Sequence, residues 1–318
     1  MSGISGPGPC REDRMRWVET PRWLMPWRGA WDRLDLYHGP NFKMHTTGRS
    51  GGIVTIHDLW LARHPEYSRK LLGQAGSSRR AMATANRARR VVTVSDFSAR
   101  EIEALYGIPR ERVVVIHNGV TEEFSPVQDE QGMAVLRARW AIPSAGFILF
   151  VGGADPRKNH RVFLQAVAQS RSQLGGRAIL LVGDAEHPQG SYLATARSLG
   201  LEQDVRCTGR LNREDLCRLY SYAEVFVFPS LYEGFGMPVL EAMACGAPTI
   251  TSSTSSLPEV AGDAALLVNP EDAEALGAAM VKVLSEQALR QQLRDRGFER
   301  TRLFTWQRAA LRTSALYR

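Results

Sequence analysis

The chain has 318 residues, 44% hydrophobic and 23% charged, with a formal net charge of +7, which is the composition of a soluble globular protein with room for one large domain or two ordinary ones. No apolar run approaches the ~18 residues of a membrane helix, and the opening MSGISGPGPCREDRMRW lacks the apolar centre of a secretory signal. Cys10, Cys207, Cys217 and Cys245 show no metal-ligand spacing and read as reduced thiols of a cytoplasmic protein.

The first 30 residues are irregular and rich in Trp, Arg and Pro. Four β-branched or apolar runs follow: LDLYHG (34–39), GIVTIHD (52–58), RVVTVSD (90–96) and RVVVIHNG (112–119). Helix-like segments such as FSAREIEALYG (97–107) lie between them, and this alternation predicts parallel βαβ units. Residues 1–140 hold 21 Lys/Arg against 15 Asp/Glu, so the positive charge lies mainly in this half. Such a surplus suits nucleic acid, anionic lipid or phosphorylated ligands, or is an Arg-rich surface without a partner. No nucleic-acid-binding motif accompanies it.

Residues 121–146 break the alternation and read as a junction. Strands then resume at FILFVGG (147–153), AILLVGD (178–184), DVRCTG (204–209), VFVFPS (225–230), APTITS (247–252) and AALLVN (264–269). Residues 271–300 read as helical, and FTWQRAALRTSALYR (304–318) as one more helix. The expected fold is α/β, two Rossmann-like doubly wound halves facing across a cleft, with the ligand between them.

In PSLYEGFGMPVLEAMACG (229–246), a strand delivers the chain to a glycine turn that opens a helix. Pro238 stands where the helix starts and Gly246 just past its end. Glycines before a helix N-terminus present free N–H groups and positive partial charge, a setting for phosphate. Glu233 and Glu241 flank the turn; carboxylates repel phosphate but accept hydrogen bonds from hydroxyls, so sugars on both sides of a diphosphate fit. The same residues also read as a turn cap and a solvated helix carboxylate. In GGADPRKNH (152–160), Asp155 and Pro156 predict a helix start that puts Arg157 and Lys158 in its first turn. Cations there oppose the helix dipole, which a bound diphosphate would offset; exposed surface charge is the alternative.

EGFGMPVLEAMACGAPTITSSTSSLPEVAGDAALLVNPED resembles the C-terminal signature of the GT-B glycosyltransferases of family 4, with their Glu-x7-Glu motif at Glu233 and Glu241. FVGGADPRKNH resembles their phosphate loop and VRCTGRLNREDLCRLYSYAEVFVFPS their nucleobase segment. DLYHGPNF, VTIHDLWLARHPEY, VVTVSDFSAREI and VVVIHNGV match the family too, nearest its bacterial mannosyltransferase-like members. The resemblance runs from about residue 31 to the end. It implies domains at 1–128 (acceptor side) and 129–300 (nucleotide sugar), with 301–318 a terminal helix that contains Trp306 and crosses back.

The resemblance implies retaining transfer of a hexosyl group, mannosyl from GDP-mannose foremost, to a saccharide or lipid-linked acceptor in cell-surface polysaccharide or glycolipid synthesis. Glu241 would hold the ribose and Glu233 the donor sugar. Gly152, Gly153, Gly236, Met237 and Pro238 would border the diphosphate, and Arg157 and Lys158 would neutralise it. Thr208, Gly209 and Leu211 would edge the base. His57 would face the sugar from the first domain, at the carboxyl end of its strand. The resemblance implies a GDP- or UDP-sugar as donor. With no Asp-x-Asp at the site, no cofactor and no catalytic metal are expected. The basic first half suits docking to the inner face of an anionic membrane, and no nucleic-acid partner is expected. Family members normally open with a further strand, glycine turn, helix and strand, about 60 residues by the size of βαβ units. Their absence implies an N-terminally truncated first domain with unpaired strands. The alternative function is an inactive nucleotide-sugar-binding fragment or partner. A nucleotide-sugar epimerase fits the EGFGMPVLE and PRKNH pair less well.

Overall fold

The computed structural model describes residues 35–44, 51–65, 77–187 and 190–318. The short apolar runs form two parallel sheets. In the first, β1 (Tyr37–Gly39), β2 (Gly52–Ile56), β3 (Arg90–Thr93) and β4 (Val113–Val115) pair in chain order. The second is built from β5 (Phe147–Val151), β6 (Ala178–Val182), β9 (Val205–Gly209), β10 (Val225–Phe228), β11 (Thr249–Ser252) and β12 (Ala265–Val268). Its order is β12-β11-β10-β5-β6-β9, all parallel. A small antiparallel pair, β7 (Glu186–His187) and β8 (Gly190–Ser191), stands apart.

Both sheets are covered on both faces. Along β5, Phe147 and Leu149 enter one core cluster and Ile148 and Phe150 another, the period-two consequence of a strand buried on each side. In the first sheet Val54, Ile56 and Val91 pack on one face. On the other face Ile53, Val92 and Ile116 pack against Ala309 of the last helix, Trp306–Leu316. That helix therefore follows the second sheet in sequence but covers the first. The two crossings between the halves touch: the Val120 N–H donates to the Phe304 carbonyl at 3.0 Å. A Cβ at Gly119 would lie 2.0 Å from Trp306 N, so only glycine fits there.

Topology locates the cleft. From β5 the chain moves outward through β6 to β9, then returns past β5 to β10. The crossovers leaving the adjacent strands β5 and β10 part in opposite directions, and the crevice beyond their carboxyl ends is where such sheets take ligands.

Several expected boundaries shift. β1 is shorter than 34–39, and residue 34 lies outside the described residues. The helical stretch 271–300 is two helices, Ala273–Ser285 and Gln287–Thr301, parted at the extended residue Glu286. The region of the expected truncation, residues 1–34, lies outside the described residues; among the described ones β1 to β4 pair without a gap.

Candidate active site

The chain leaves β5 through Gly152 and Gly153. Asp155 then caps a single 3-10 turn, Pro156–Lys158, by accepting from the Arg157 N–H at 2.9 Å. The turn stops at Asn159, whose φ is 61°. Asn tolerates this left-handed conformation, and here its amide also donates to the Pro229 and Pro270 carbonyls at 3.0 and 2.6 Å. The α-helix begins only at His160. Arg157 and Lys158 thus do not occupy the first turn of an α-helix, and the dipole argument built on that placement is corrected. They sit on a short turn that Asn159 separates from the helix.

The Lys158 stem runs over Gly152, where a Cβ would lie 3.0 Å from Lys158 Cγ. Lys158 Nζ donates to Glu233 Oε1 at 2.6 Å and lies 5.1 Å from the centre of the Phe228 ring. The Ser230 hydroxyl donates to the same carboxylate oxygen at 2.7 Å. The two charged side chains are 15% and 10% exposed, so the pair is largely removed from water. Arg157 Nη1 stands 3.8 Å from Asp58 of the first half, while Arg157 Nε is buried with no hydrogen-bond partner. Asp155 Oδ2 lies 3.8 Å from that Nε, beyond hydrogen-bond distance, so the donor is still able to take a closer anionic acceptor.

Glu233 belongs to a turn stapled from behind: its N–H donates to Ser255 Oγ and the Ser256 hydroxyl donates to its carbonyl. Gly236, at φ 105°, brings the chain into the helix Met237–Ala244, in which Pro238 is the second residue. No side chain caps that helix start. Gly246 follows the helix at φ 82°, as the sequence predicts. Glu241 lies further along, accepting from the Tyr220 hydroxyl at 3.4 Å. Burial raises its pKa, against the opposing effects of Tyr220 and Arg213. Among the described residues, Glu241 shares no hydrogen bond with the Lys158–Glu233 pair. Thr208 and Gly209 end β9 at the sheet's edge, where the Gly209 carbonyl accepts from Gly183 N–H and the Thr208 hydroxyl. Leu211, half-buried, packs against the core behind them.

His57 meets the turn by its main chain. A Cβ at Gly234 would lie 2.1 Å from the His57 carbonyl oxygen. The ring itself donates from Nε2 to the Pro40 carbonyl at 2.9 Å and sets its edge against Phe42. That bond fixes a proton on Nε2.

Other contacts across the cleft were not singled out from the sequence. Tyr232 enters the first half between Trp60 and Phe97, ring centres 5.5 and 5.4 Å away, and its hydroxyl accepts from the Leu59 N–H. The Ser95 hydroxyl donates to the Gly234 carbonyl at 2.7 Å. Glu259 accepts from the N–H groups of Asp96 and Phe97 and pairs with His117. A signal existed for some of them: Asp58, Ser95 and His117 follow the carboxyl ends of β2, β3 and β4, by the rule that selected His57. Tyr232 and Glu259 carry no comparable mark.

The chain matches the family described as Glycosyl transferases group 1 over residues 135–300 and the family described as Glycosyltransferase Family 4 over residues 2–124. It belongs to the family 4, group 1 glycosyltransferases. It is 33% identical over 308 residues to the O-antigen chain mannosyltransferase B of Escherichia coli, covering 95% of this chain and 80% of that protein. It is 34% identical over 233 residues to the MMP alpha-(1->4)-mannosyltransferase of Mycolicibacterium hassiacum, covering 71% of this chain and 53% of that one. Among solved structures, sucrose-phosphate synthase from Thermosynechococcus elongatus superposes with a TM-score of 0.73 at 25% identity, over 93% of this chain and 76% of that one. Anabaena HepE superposes with a TM-score of 0.75 at 19% identity, over 92% and 81%. This glycosyltransferase therefore has the GT-B fold, and the crevice beyond β5 and β10 is its inter-sheet cleft.

Proposed function

We propose that the chain transfers a hexosyl group, mannosyl foremost, from a nucleoside diphosphate sugar to a saccharide or lipid-linked acceptor in cell-surface polysaccharide synthesis. The observation that carries this reading is the Lys158–Glu233–Ser230 constellation at the switch point, beside the buried Nε of Arg157, which makes no hydrogen bond and stands 3.8 Å from Asp155 Oδ2. A diphosphate entering here gains two cations and the uncapped start of the helix Met237–Ala244. Glu233 is then released from Lys158 to accept from sugar hydroxyls, and Glu241 accepts from the ribose. Thr208, Gly209 and Leu211 edge the base. The relatives named for mannosyl transfer support the sugar, and HepE, solved with UDP and glucose, supports the donor class.

Transfer proceeds with retention, through an oxocarbenium-like state in which the leaving diphosphate takes the acceptor proton. Arg157 and Lys158 stabilise the charge that develops on that diphosphate. They make a metal dispensable, so turnover persists in a chelator. His57, held by Pro40, presents its remaining nitrogen to the sugar. The basic first half docks at an anionic membrane surface; no helix among the described residues is long and apolar enough to cross one.

Calorimetric titration with GDP-mannose, UDP-glucose and UDP-N-acetylglucosamine tests the reading. Selective binding of one donor, lost in Glu241→Ala, supports it. A folded chain that binds none of the three sinks it. NMR of the product's anomeric configuration decides retention.

A further inference from the structure

Three of the contacts across the cleft, from Asp96, Phe97 and His117, end on Glu259. It lies on the second half, in the short helix Leu257–Ala261, yet both of its carboxylate oxygens are used by the first half. Oε1 accepts from the Asp96 N–H at 2.8 Å and Oε2 from the Phe97 N–H at 3.1 Å, the first two amides of the helix Asp96–Tyr106. Oε1 also lies 2.8 Å from His117 Nε2. The His117 ring in turn stacks on Phe235 of the glycine turn and meets Phe304 edge-on. From behind, Arg300 donates to the carbonyls of Glu259 and Val260, so the carboxylate projects from a braced base.

The helix Asp96–Tyr106 does not need Glu259 to form. Ser95 already caps it, accepting from the Ser98 N–H at 3.0 Å. Glu259 instead satisfies the two amides that Ser95 leaves, and it does so from the opposite half. Asp96, His117 and Glu259 bring ligand atoms within 4.8 Å of one another, but this is a poor cation site. Both Glu259 oxygens already accept N–H donors, the helix N-terminus is positive, and Arg110 pairs with Asp96 at 3.1 Å. An anion fits there, and Glu259 is that anion. Although burial opposes its charge, His117 and the two amides hold its carboxyl below the ordinary range.

We propose that Glu259 is the latch of the closed cleft, a positioning residue that seats Ser95 and His57 against the turn bearing Glu233 by capping the helix Asp96–Tyr106 from the opposite half. The geometry of the latch stands alone; its consequence for turnover rests on the reading given under Proposed function. Once Glu259 lets go, the Ser95–Gly234 bond and the Tyr232 contact hold the halves less often together, while the donor-binding half stays intact.

Hydrogen exchange of the whole chain tests it, in wild type, Glu259→Gln and His117→Ala. In Glu259→Gln we expect the amides of Asp96 and Phe97, and those of the turn 231–236, to exchange at least tenfold faster. The helix His160–Ser170 should be unchanged. Release of nucleoside diphosphate from GDP-mannose should fall tenfold or more in kcat, while the titrated Kd for GDP stays within threefold. His117→Ala should shift both readouts in the same direction by less. Unchanged exchange at Asp96 and Phe97 overturns the latch, as does a loosening spread equally over the second half. An equal fall in kcat and in GDP affinity also overturns it, since Glu259 would then act within the donor site. A wild-type chain that neither binds nor cleaves any nucleotide sugar defeats the functional reading alone, and the exchange measurement still decides the latch.

Discussion

Glu241 is a residue whose binding role and stability conflict. Its folded carboxyl titrates above its unfolded value because it is buried. Folding is therefore favoured below the unfolded pKa, and that advantage is lost as pH rises through the folded one. Near neutrality the ionised group is a standing penalty. Glu241→Gln removes the penalty, so its Tm should exceed the wild-type value at pH 7 by a few degrees and converge on it in acid, while donor affinity drops tenfold or more. A lower Tm at pH 7 would contradict this account. Lys158 is the opposite case. Lys158→Ala leaves the Glu233 carboxylate largely buried with Ser230 as its one remaining side-chain hydrogen-bond partner among the described residues. Removing one partner of a buried pair costs roughly 3–5 kcal/mol, and with both groups slightly exposed about 2–3 kcal/mol is expected in denaturant unfolding. Transfer should be lost with it.

At the scale of elements, the glycine turn shows why local sequence and function are joined here. Gly234 is required by a neighbour from the other half: a Cβ would stand 2.1 Å from the His57 carbonyl and 2.9 Å from Asp58 Cβ. Gly234→Ala should push the cleft apart while leaving the second sheet folded. We expect GDP binding within threefold of wild type, turnover down about a hundredfold, and a larger radius of gyration in X-ray scattering. Unaltered turnover would show that the contact is idle. The same turn shows how far the sequence could be read. The long runs FILFV, AILLV and VFVF were legible as central strands because strands buried on both faces are apolar throughout. The cap at Asp155 was legible too, since it depends on residues two positions apart. Its continuation into an α-helix was misread because the left-handed Asn159 is stabilised by Pro229 and Pro270, which are distant in sequence. Glu259 was not readable at all: His117 lies 142 residues away in sequence, and nothing in SSLPEV distinguishes a latch from an ordinary first-turn acid.

For the whole molecule, the terminal helix and the two crossings matter more than any one contact. Gly119→Val would thrust a branched side chain into the backbone at Thr305 and Trp306. Overpacking of this kind costs typically ~1–3 kcal/mol, so a Tm lower by several degrees is expected in calorimetry. Donor affinity should hardly change, because the groups that crowd Gly119 are Thr305 and Trp306 rather than the Lys158–Glu233 pair. The adjacency of the crossings has a kinetic consequence. Two bodies joined by one flexible linker explore a volume, and their encounter depends on how much of it they sample. Two linkers that touch at Val120 and Phe304 leave the halves little more than rotation about a line. Opening and closing then become motion along one angle, with each half always at high local concentration for the other. The search that ends in a shut cleft is short, so the frequency of opening, rather than the chance of reunion, sets how often substrates can enter and leave.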